Sequence, residues 1–123
     1  MRTLMNDNMA LFAATMLHSA TNTHFFHWST DSFSKHMALG TYYNSIVDLT
    51  DDLLEAYMGC YTKITTFPNV YHQPKEAVKY LESLKKFVVD ARKDLPEESQ
   101  IQNIVDEIAQ LIDSTLYKLK FLK

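Results

Sequence analysis

The sequence predicts an all-α fold, an antiparallel four-helix bundle that occupies residues 1–123 as one domain. Four segments carry apolar residues at the i, i+3, i+4 spacing of an amphipathic helix. Apolar residues make up 46% of the chain, and only two glycines and three prolines interrupt it, a composition that favours helices over disorder. Short polar breaks between segments favour helices that fold back on one another.

The first predicted helix runs from about residue 3 or 6 to Trp28, with Asn6 as its N-cap. Its expected core positions are Met5, Met9, Phe12, Ala13, Met16, Leu17 and Ala20. Residues 29–34 are rich in Ser, Thr and Asp, which predicts a short turn that returns the chain antiparallel.

The second predicted helix runs from Lys35 to about Thr62, with Ser32 or Ser34 as its N-cap. A broad apolar stripe forms its expected core face: Leu39, Tyr42, Tyr43, Ile46, Leu49, Leu53, Tyr57, Tyr61 and Ile64. Gly40 lies inside this helix at a cost of ~1 kcal/mol relative to Ala, and close approach of another helix is one reason for a glycine there.

Prolines interrupt the pattern after the second helix. Residues 62–73 contain Pro68, and extended they cover up to ~40 Å, so they permit a crossover along the bundle or a plain up-down-up-down turn. The third predicted helix begins at Pro74 and ends before Asp94. The fourth opens with Glu97 and Glu98 and ends among lysines. The expected core positions of these two helices are Ala77, Tyr80, Leu81, Leu84, Phe87, Val88, Ala91, Ile101, Ile104, Val105, Ile108, Leu111, Ile112, Leu116 and Leu119.

Charge and composition argue against several classes of function. A net charge of -3 gives no general attraction to nucleic acid, and the C-terminal lysines more simply complement the negative end of a helix. The single Cys60 cannot form an internal disulfide and suits a reducing cytoplasm. We find no apolar run of the ~20 residues that span a bilayer and no signal-peptide pattern, so we expect a cytoplasmic protein.

Metal-binding residue types are concentrated between residues 24 and 55. Histidines come first and carboxylates follow: His24, His27, His36, Asp48, Asp51, Asp52 and Glu55. On one helix, His36, Asp51 and Glu55 project from the same side, but His36 and Asp51 are ~22 Å apart along the axis. Because metal bonds are only ~2 Å long, joint ligation requires a second, antiparallel copy of the helix that crosses near residues 43 and 44. Two identical sites would then form across a two-fold dimer.

These residues resemble the motif of the Dps-type miniferritins, which are ferritin-like. The match consists of His24-x2-His27-Trp28, then His36, with Asp51 fifteen and Glu55 nineteen residues after it. By that resemblance, His27 and His36 come from one subunit and Asp51 and Glu55 from the other, as metal ligands and catalytic residues.

Two departures from the family pattern bear on the site. His27 and His36 are nine residues apart, closer than is usual in the family, and Gly40 replaces an aspartate that normally supplements the site. The site could therefore be weakened, rearranged, or completed by Asp48 or Asp52, with His24 as an accessory group. His18 and His72 have no neighbouring metal-binding residues and are interpreted as packing residues.

The resemblance implies a ferroxidase that binds Fe(II), oxidises it with peroxide or dioxygen, and stores the iron in a shell, usually of twelve subunits. Zn or Mn would compete for the same ligands. Neither of the last two helices contains a histidine, which argues against an iron centre inside one bundle. Two alternatives stay open: an assembly or binding module without iron chemistry, and a DNA-protecting protein, which the charge disfavours.

Overall fold

The computed structural model of the chain describes residues 2–123, with side chains from residue 4 onward. In this range four α-helices and one short 3-10 turn form, without strands: α1 Arg2–Ser29, α2 Phe33–Cys60, α3 Ala77–Ala91, the turn Arg92–Asp94, and α4 Ser99–Phe121. The all-α prediction is therefore confirmed. Among residues 2–123, no helix is long and apolar enough to cross a membrane.

The helices enclose one continuous core, because α1 packs against α2 and α3, and α4 packs against the same two helices. The helix faces agree with the apolar stripes, since Met9, Phe12 and Met16 of α1 and Tyr42 and Ile46 of α2 are all fully buried in the same core cluster. Leu17 was expected in the core but is 44% exposed. It lies on the outer side of α1, where it lines a surface cavity together with Leu54 of α2 and Phe67.

Several helix ends differ from the sequence prediction. Asn6 is not an N-cap, because α1 already begins at Arg2, and Asn6 Oδ1 instead accepts a hydrogen bond from the Tyr57 hydroxyl (2.5 Å). Ser32 does cap α2, since its side chain accepts from the backbone N–H of Lys35. The third helix begins at Ala77 rather than Pro74, because Glu76 has an extended backbone and occupies the N-cap position.

Contacts between helix ends give the direction of each helix. Tyr61, just after α2, donates a hydrogen bond to Glu98, which precedes α4. At the opposite end of the bundle, Phe26 near the end of α1 contacts Tyr80 near the start of α3. Since α2 ends at one end of the bundle and α3 starts at the other, residues 61–76 must cover its length. Sixteen extended residues reach ~50 Å, which exceeds the ~42 Å length of α2, so the connection is long enough.

Candidate metal centre

His27 and His36 lie together where α1 turns into α2. His27 is in the last turn of α1 and His36 in the first turn of α2, and the turn between the helices stacks their rings with centroids 3.6 Å apart. His27 Nδ1 lies 2.5 Å from the carbonyl oxygen of His36, and His36 Nδ1 lies 2.8 Å from the carbonyl oxygen of His27. The two residues are thus joined by a reciprocal pair of side-chain to backbone hydrogen bonds.

These hydrogen bonds fix the tautomer of both imidazoles. A carbonyl oxygen only accepts, so Nδ1 of each ring must be the donor. Nε2 of each neutral ring then keeps its lone pair. Metal-binding histidines commonly donate their other ring N–H to a backbone carbonyl, which orients the ring and raises its basicity. The pair also satisfies one carbonyl in the last turn of α1, where helix carbonyls lack a helical partner, so the contact stabilises the turn even without metal.

Gly40 is explained by the position of the His27 ring. A Cβ at residue 40 would lie 3.1 Å from Cε1 and 3.3 Å from Nδ1 of His27. The close approach that the sequence suggested at this glycine is therefore made by an imidazole of the same chain. An aspartate at this position would need the His27 ring to move, so the departure of Gly40 from the miniferritin pattern is linked to the stacked histidines.

The two glycines of α2 form a matched test of this packing. Gly59 lies in the last turn of α2 and no atom lies within 4 Å of a Cβ built there, so Gly59→Ala should raise the free energy of unfolding by up to ~0.5 kcal/mol through helix propensity alone. Gly40→Ala, in the helix interior, gains at least as much propensity but must displace the His27 ring, and we expect it to be less stable than Gly59→Ala by at least ~0.5 kcal/mol. Urea unfolding of both variants measures the difference. Equal increases in the free energy of unfolding for the two variants would show that the His27 ring moves freely.

His24 belongs to an aromatic cluster beside the histidine pair. Its ring stacks on Tyr43 of α2 with centroids 3.9 Å apart and lies 4.4 Å from Trp28. The centroid of the His27 ring is 6.0 Å away. Trp28 itself is 66% exposed, so its indole covers little of its own subunit. His24 is near enough to act as an accessory group, but its ring is already engaged in stacking.

The predicted carboxylates lie elsewhere on the same chain. All four of them are exposed on α2: Asp48, Asp51, Asp52 and Glu55. Residues 36 and 51 are fifteen positions apart on this continuous helix, or ~22 Å along its axis. Among the described residues, no group of three or more His, Cys, Asp or Glu side chains is placed to hold a metal ion. One chain therefore brings together His27 and His36 but not Asp51 and Glu55, and the complete four-residue set stays a prediction for two copies.

Polar interactions at the opposite end of the bundle were not foreseen from sequence. The Tyr61 hydroxyl donates to Glu98, and the Cys60 thiol lies 3.7 Å from the same carboxylate. The hydrogen bond from Tyr61 lowers the pKa of Glu98, and the bond to Glu98 raises the pKa of Tyr61 to about 12. These contacts join the start of the long connection to the start of α4. They have a structural role at a distance from the histidines.

A further polar feature interrupts the buried side of α1. Ser19, Asn22 and Thr23 are all buried there. The Ser19 and Thr23 hydroxyls donate to carbonyls within α1, whereas the Asn22 amide donates to the backbone oxygen of His72 in the long connection. In the sequence this region is marked by Asn22, an asparagine on the apolar face of α1.

The fold and the site together define an all-helical bundle with a paired-histidine turn and an acidic helix face. The chain belongs to DUF5856, a family of unknown function, whose sequence profile matches residues 27–119. That range contains His27, His36, Asp51 and Glu55 but leaves out His24. No curated protein and no solved structure matches the chain.

Proposed function

We propose that the chain is a miniferritin-like protein that binds and oxidises Fe(II) between two copies related by a two-fold axis. The observation that carries the proposal is the reciprocal hydrogen bonding of His27 and His36, which directs Nδ1 of each ring to a carbonyl and leaves both Nε2 lone pairs unused. Because the rings are stacked within 19° of parallel, one ring must turn for both nitrogens to bind the same ion. Asp51 and Glu55 of the partner supply the oxygen ligands. Fe(II) is here the substrate of the site.

The distribution of charge along α2 supports an antiparallel pairing. Lys35 and His36 lie in its first half, and the four exposed carboxylates lie in its second half. Parallel helices would set carboxylate against carboxylate, and like charges at close range repel. Antiparallel helices set the carboxylates against the half that carries Lys35 and His36, so the favourable electrostatic arrangement is also the one that assembles the site.

Apolar surface at the two ends of α2 supports the same pairing. Phe33 is 77% exposed and lies on the same side of α2 as Asp51, because eighteen residues make five helical turns. In a pairing that sets His36 against the partner's Asp51, Phe33 lies opposite the partner's Leu54. Leu54 lines a cavity of about 420 Å³ together with Leu17, Phe67 and Pro68. An exposed ring and an apolar cavity thus meet twice in one two-fold dimer.

The chain connectivity supports the ferritin-like part of the proposal. In ferritin-like bundles one long crossover joins two helix pairs, and here residues 61–76 run along the bundle between α2 and α3. The packing of α1 on α2 and α3, and of α4 on α2 and α3, sets α2 and α3 at opposite corners. The two-fold pairing uses the outer side of α1 and α2, which these contacts leave accessible. A closed shell of twelve chains remains the assembly that the resemblance implies.

The proposed chemistry follows from the ligand types. Imidazole nitrogen binds Fe(II), and carboxylate oxygen stabilises the harder Fe(III) that is produced. Each Fe(II) gives one electron to dioxygen or peroxide. The same ligands accept Zn and Mn, which would act as competitors. Asp48 lies one turn before Asp51 and Asp52 lies one turn before Glu55, so they are available as additional oxygen ligands.

One observation favours an assembly module without iron chemistry as the second candidate. The histidine pair already joins α1 to α2 through hydrogen bonds, and Gly40 accommodates the His27 ring, so both features have a structural role. Under this alternative, the two-fold dimer forms but Nε2 of His27 and His36 binds no metal. The third candidate, DNA protection, has no comparable support, because the net charge is -3.

An anaerobic Fe(II) titration separates the first two candidates. We expect saturable binding of about one Fe(II) per chain, that is, one ion in each of the two sites of a dimer, followed by Fe(III) formation when dioxygen or peroxide is added. A Glu107→Ala variant, which removes an exposed carboxylate on α4, should behave as the unmodified protein. A dimeric or larger protein that shows no saturable Fe(II) binding would favour the assembly module.

A further inference from the structure

A groove with apolar and acidic walls lies on the surface between the first half of α1 and the end of α3. Its volume is about 260 Å³, and its lining residues are Asn8, Leu11, Phe87, Asp90, Ala91 and Asp94. We call these six residues the acidic groove. None of them is in the proposed metal site or in the cavity beside Leu54 that receives Phe33 in the two-fold pairing.

The two carboxylates of the acidic groove have no cation beside them. Both Asp90 and Asp94 are exposed, and neither forms an ion pair with any side chain of residues 4–123. Lys86 and Lys93 are close to them in sequence, but neither lysine lines the groove. A partner that fits this surface must therefore combine apolar side chains with positive charge, because complementary charge favours association and like charge opposes it.

The end of α4 has the complementary properties. Tyr117 and Phe121 are 55% and 70% exposed, and their ring centroids are 5.8 Å apart, so they form an aromatic pair on the outer side of the helix. Three lysines flank the pair, namely Lys118, Lys120 and Lys123, and residues 117–123 include no Asp or Glu. Within the described chain only Lys120 of these three forms an ion pair. We call residues 117–123 the basic tip.

The acidic groove and the basic tip of one chain cannot meet. Asn8 Nδ2 donates to the backbone carbonyl of Asp94, which sets the groove at the end of the bundle where α3 finishes. The Ser34 hydroxyl donates to the carbonyl of Leu122, which sets the tip at the opposite end, where α2 begins. The length of α4, ~35 Å, separates these ends. Since α4 packs on α2 and α3 and lies diagonally across from α1, the two surfaces also face different sides.

We propose that the basic tip of one copy of the chain occupies the acidic groove of a second copy. The aromatic pair covers the apolar wall around Leu11 and Phe87, and the lysines lie against Asp90 and Asp94. Each copy offers its tip to one neighbour and its groove to another, so the contact is heterologous and joins more than two copies. An anionic membrane would also attract the tip, but it would leave the groove without a partner. A second copy accounts for both surfaces, and the contact uses no metal-site residue.

Charge reversal of each surface tests the contact by sedimentation velocity of the full chain. At low salt the unmodified chain should form species larger than a pair, and high salt should dissociate them. Asp90→Lys with Asp94→Lys, or Lys118→Glu with Lys123→Glu, should weaken this association at least tenfold, because each sets like charges against each other. All four changes in one chain should restore it to within about threefold, since the charges are complementary again.

The matched control is Glu97→Lys with Glu107→Lys, which makes the same change of charge outside the groove and should leave the association unchanged. The proposal is wrong if the unmodified chain forms nothing larger than a pair, if either reversed variant associates normally, or if the fourfold variant does not recover. Vesicles that contain phosphatidylserine test the other occupant. Binding to these vesicles that requires Lys118 and Lys123, without self-association, would assign the tip to a membrane and overturn the proposal.

Discussion

Mixing two inactive variants should restore about a quarter of the Fe(II)-oxidising sites, because each variant keeps the half that the other has lost. A His36→Ala chain retains Asp51 and Glu55, and an Asp51→Ala chain retains His27 and His36. In a mixed dimer, one of the two sites contains both altered residues and the other contains neither. Random pairing makes half of the dimers mixed, and one site in each of these is intact.

The separate variants define the baseline for this experiment. Each alone should lose Fe(II) oxidation at least tenfold, since removal of one metal ligand leaves the ion incompletely held. The chains are unfolded together in urea, refolded, and assayed by stopped-flow absorbance of Fe(III). A mixture of Asp51→Ala with Glu55→Ala is the control, because both changes lie on the same half of the site and no pairing restores it. Recovery in that control, or none in the first mixture, would contradict a site shared between subunits.

The helices were predictable because their signal is local. Helices α3 and α4 follow their apolar spacing closely, and Ser32 was among the expected caps of α2. Helix α1 begins at Arg2, next to the earlier of its two predicted starts, and only the predicted N-cap was wrong. Asn6 has the residue type of an N-cap but lies inside the helix, where its side chain accepts a hydrogen bond from Tyr57. Sequence alone left the connection after α2 undecided, because Pro68 and Pro74 exclude a continuous helix but do not determine the direction that the chain takes.

The candidate site was predictable in composition and only partly in geometry. A short turn between two helices forces His27 and His36 together, so their proximity follows from chain length alone. Their stacking, their reciprocal hydrogen bonds and the fit of His27 against Gly40 depend on the packing of α1 on α2, which no local pattern encodes. The pocket between α1, the long connection and α3 was harder to predict, since its walls come from three separate segments.

Phe33 is the residue whose loss should most affect the association of two copies. At 77% exposure it stabilises its own subunit little, and in the proposed pairing it enters the cavity beside the partner's Leu54. Burial of a phenylalanine side chain contributes ~1.5–3 kcal/mol, and the two-fold axis buries two copies. Phe33→Ser should therefore weaken dimer formation by ~3–6 kcal/mol, or roughly 10²- to 10⁴-fold in the dissociation constant.

Sedimentation equilibrium across a range of protein concentrations measures this change, and the matched control is Phe121→Ser. Phe121 is 70% exposed and lies at the same end of the bundle as Phe33, because the Ser34 hydroxyl donates to the Leu122 carbonyl. It belongs to α4 and takes no part in the proposed pairing of residues 33 and 54, so its loss should leave the two-fold dimer intact. Because neither ring is buried in its own subunit, both variants should keep the helical content and unfolding midpoint of a single chain. If Phe33→Ser and the unmodified protein have the same dissociation constant, Phe33 does not enter the partner's cavity beside Leu54 and the proposed pairing is wrong. The histidines would then have no carboxylates to share a metal with.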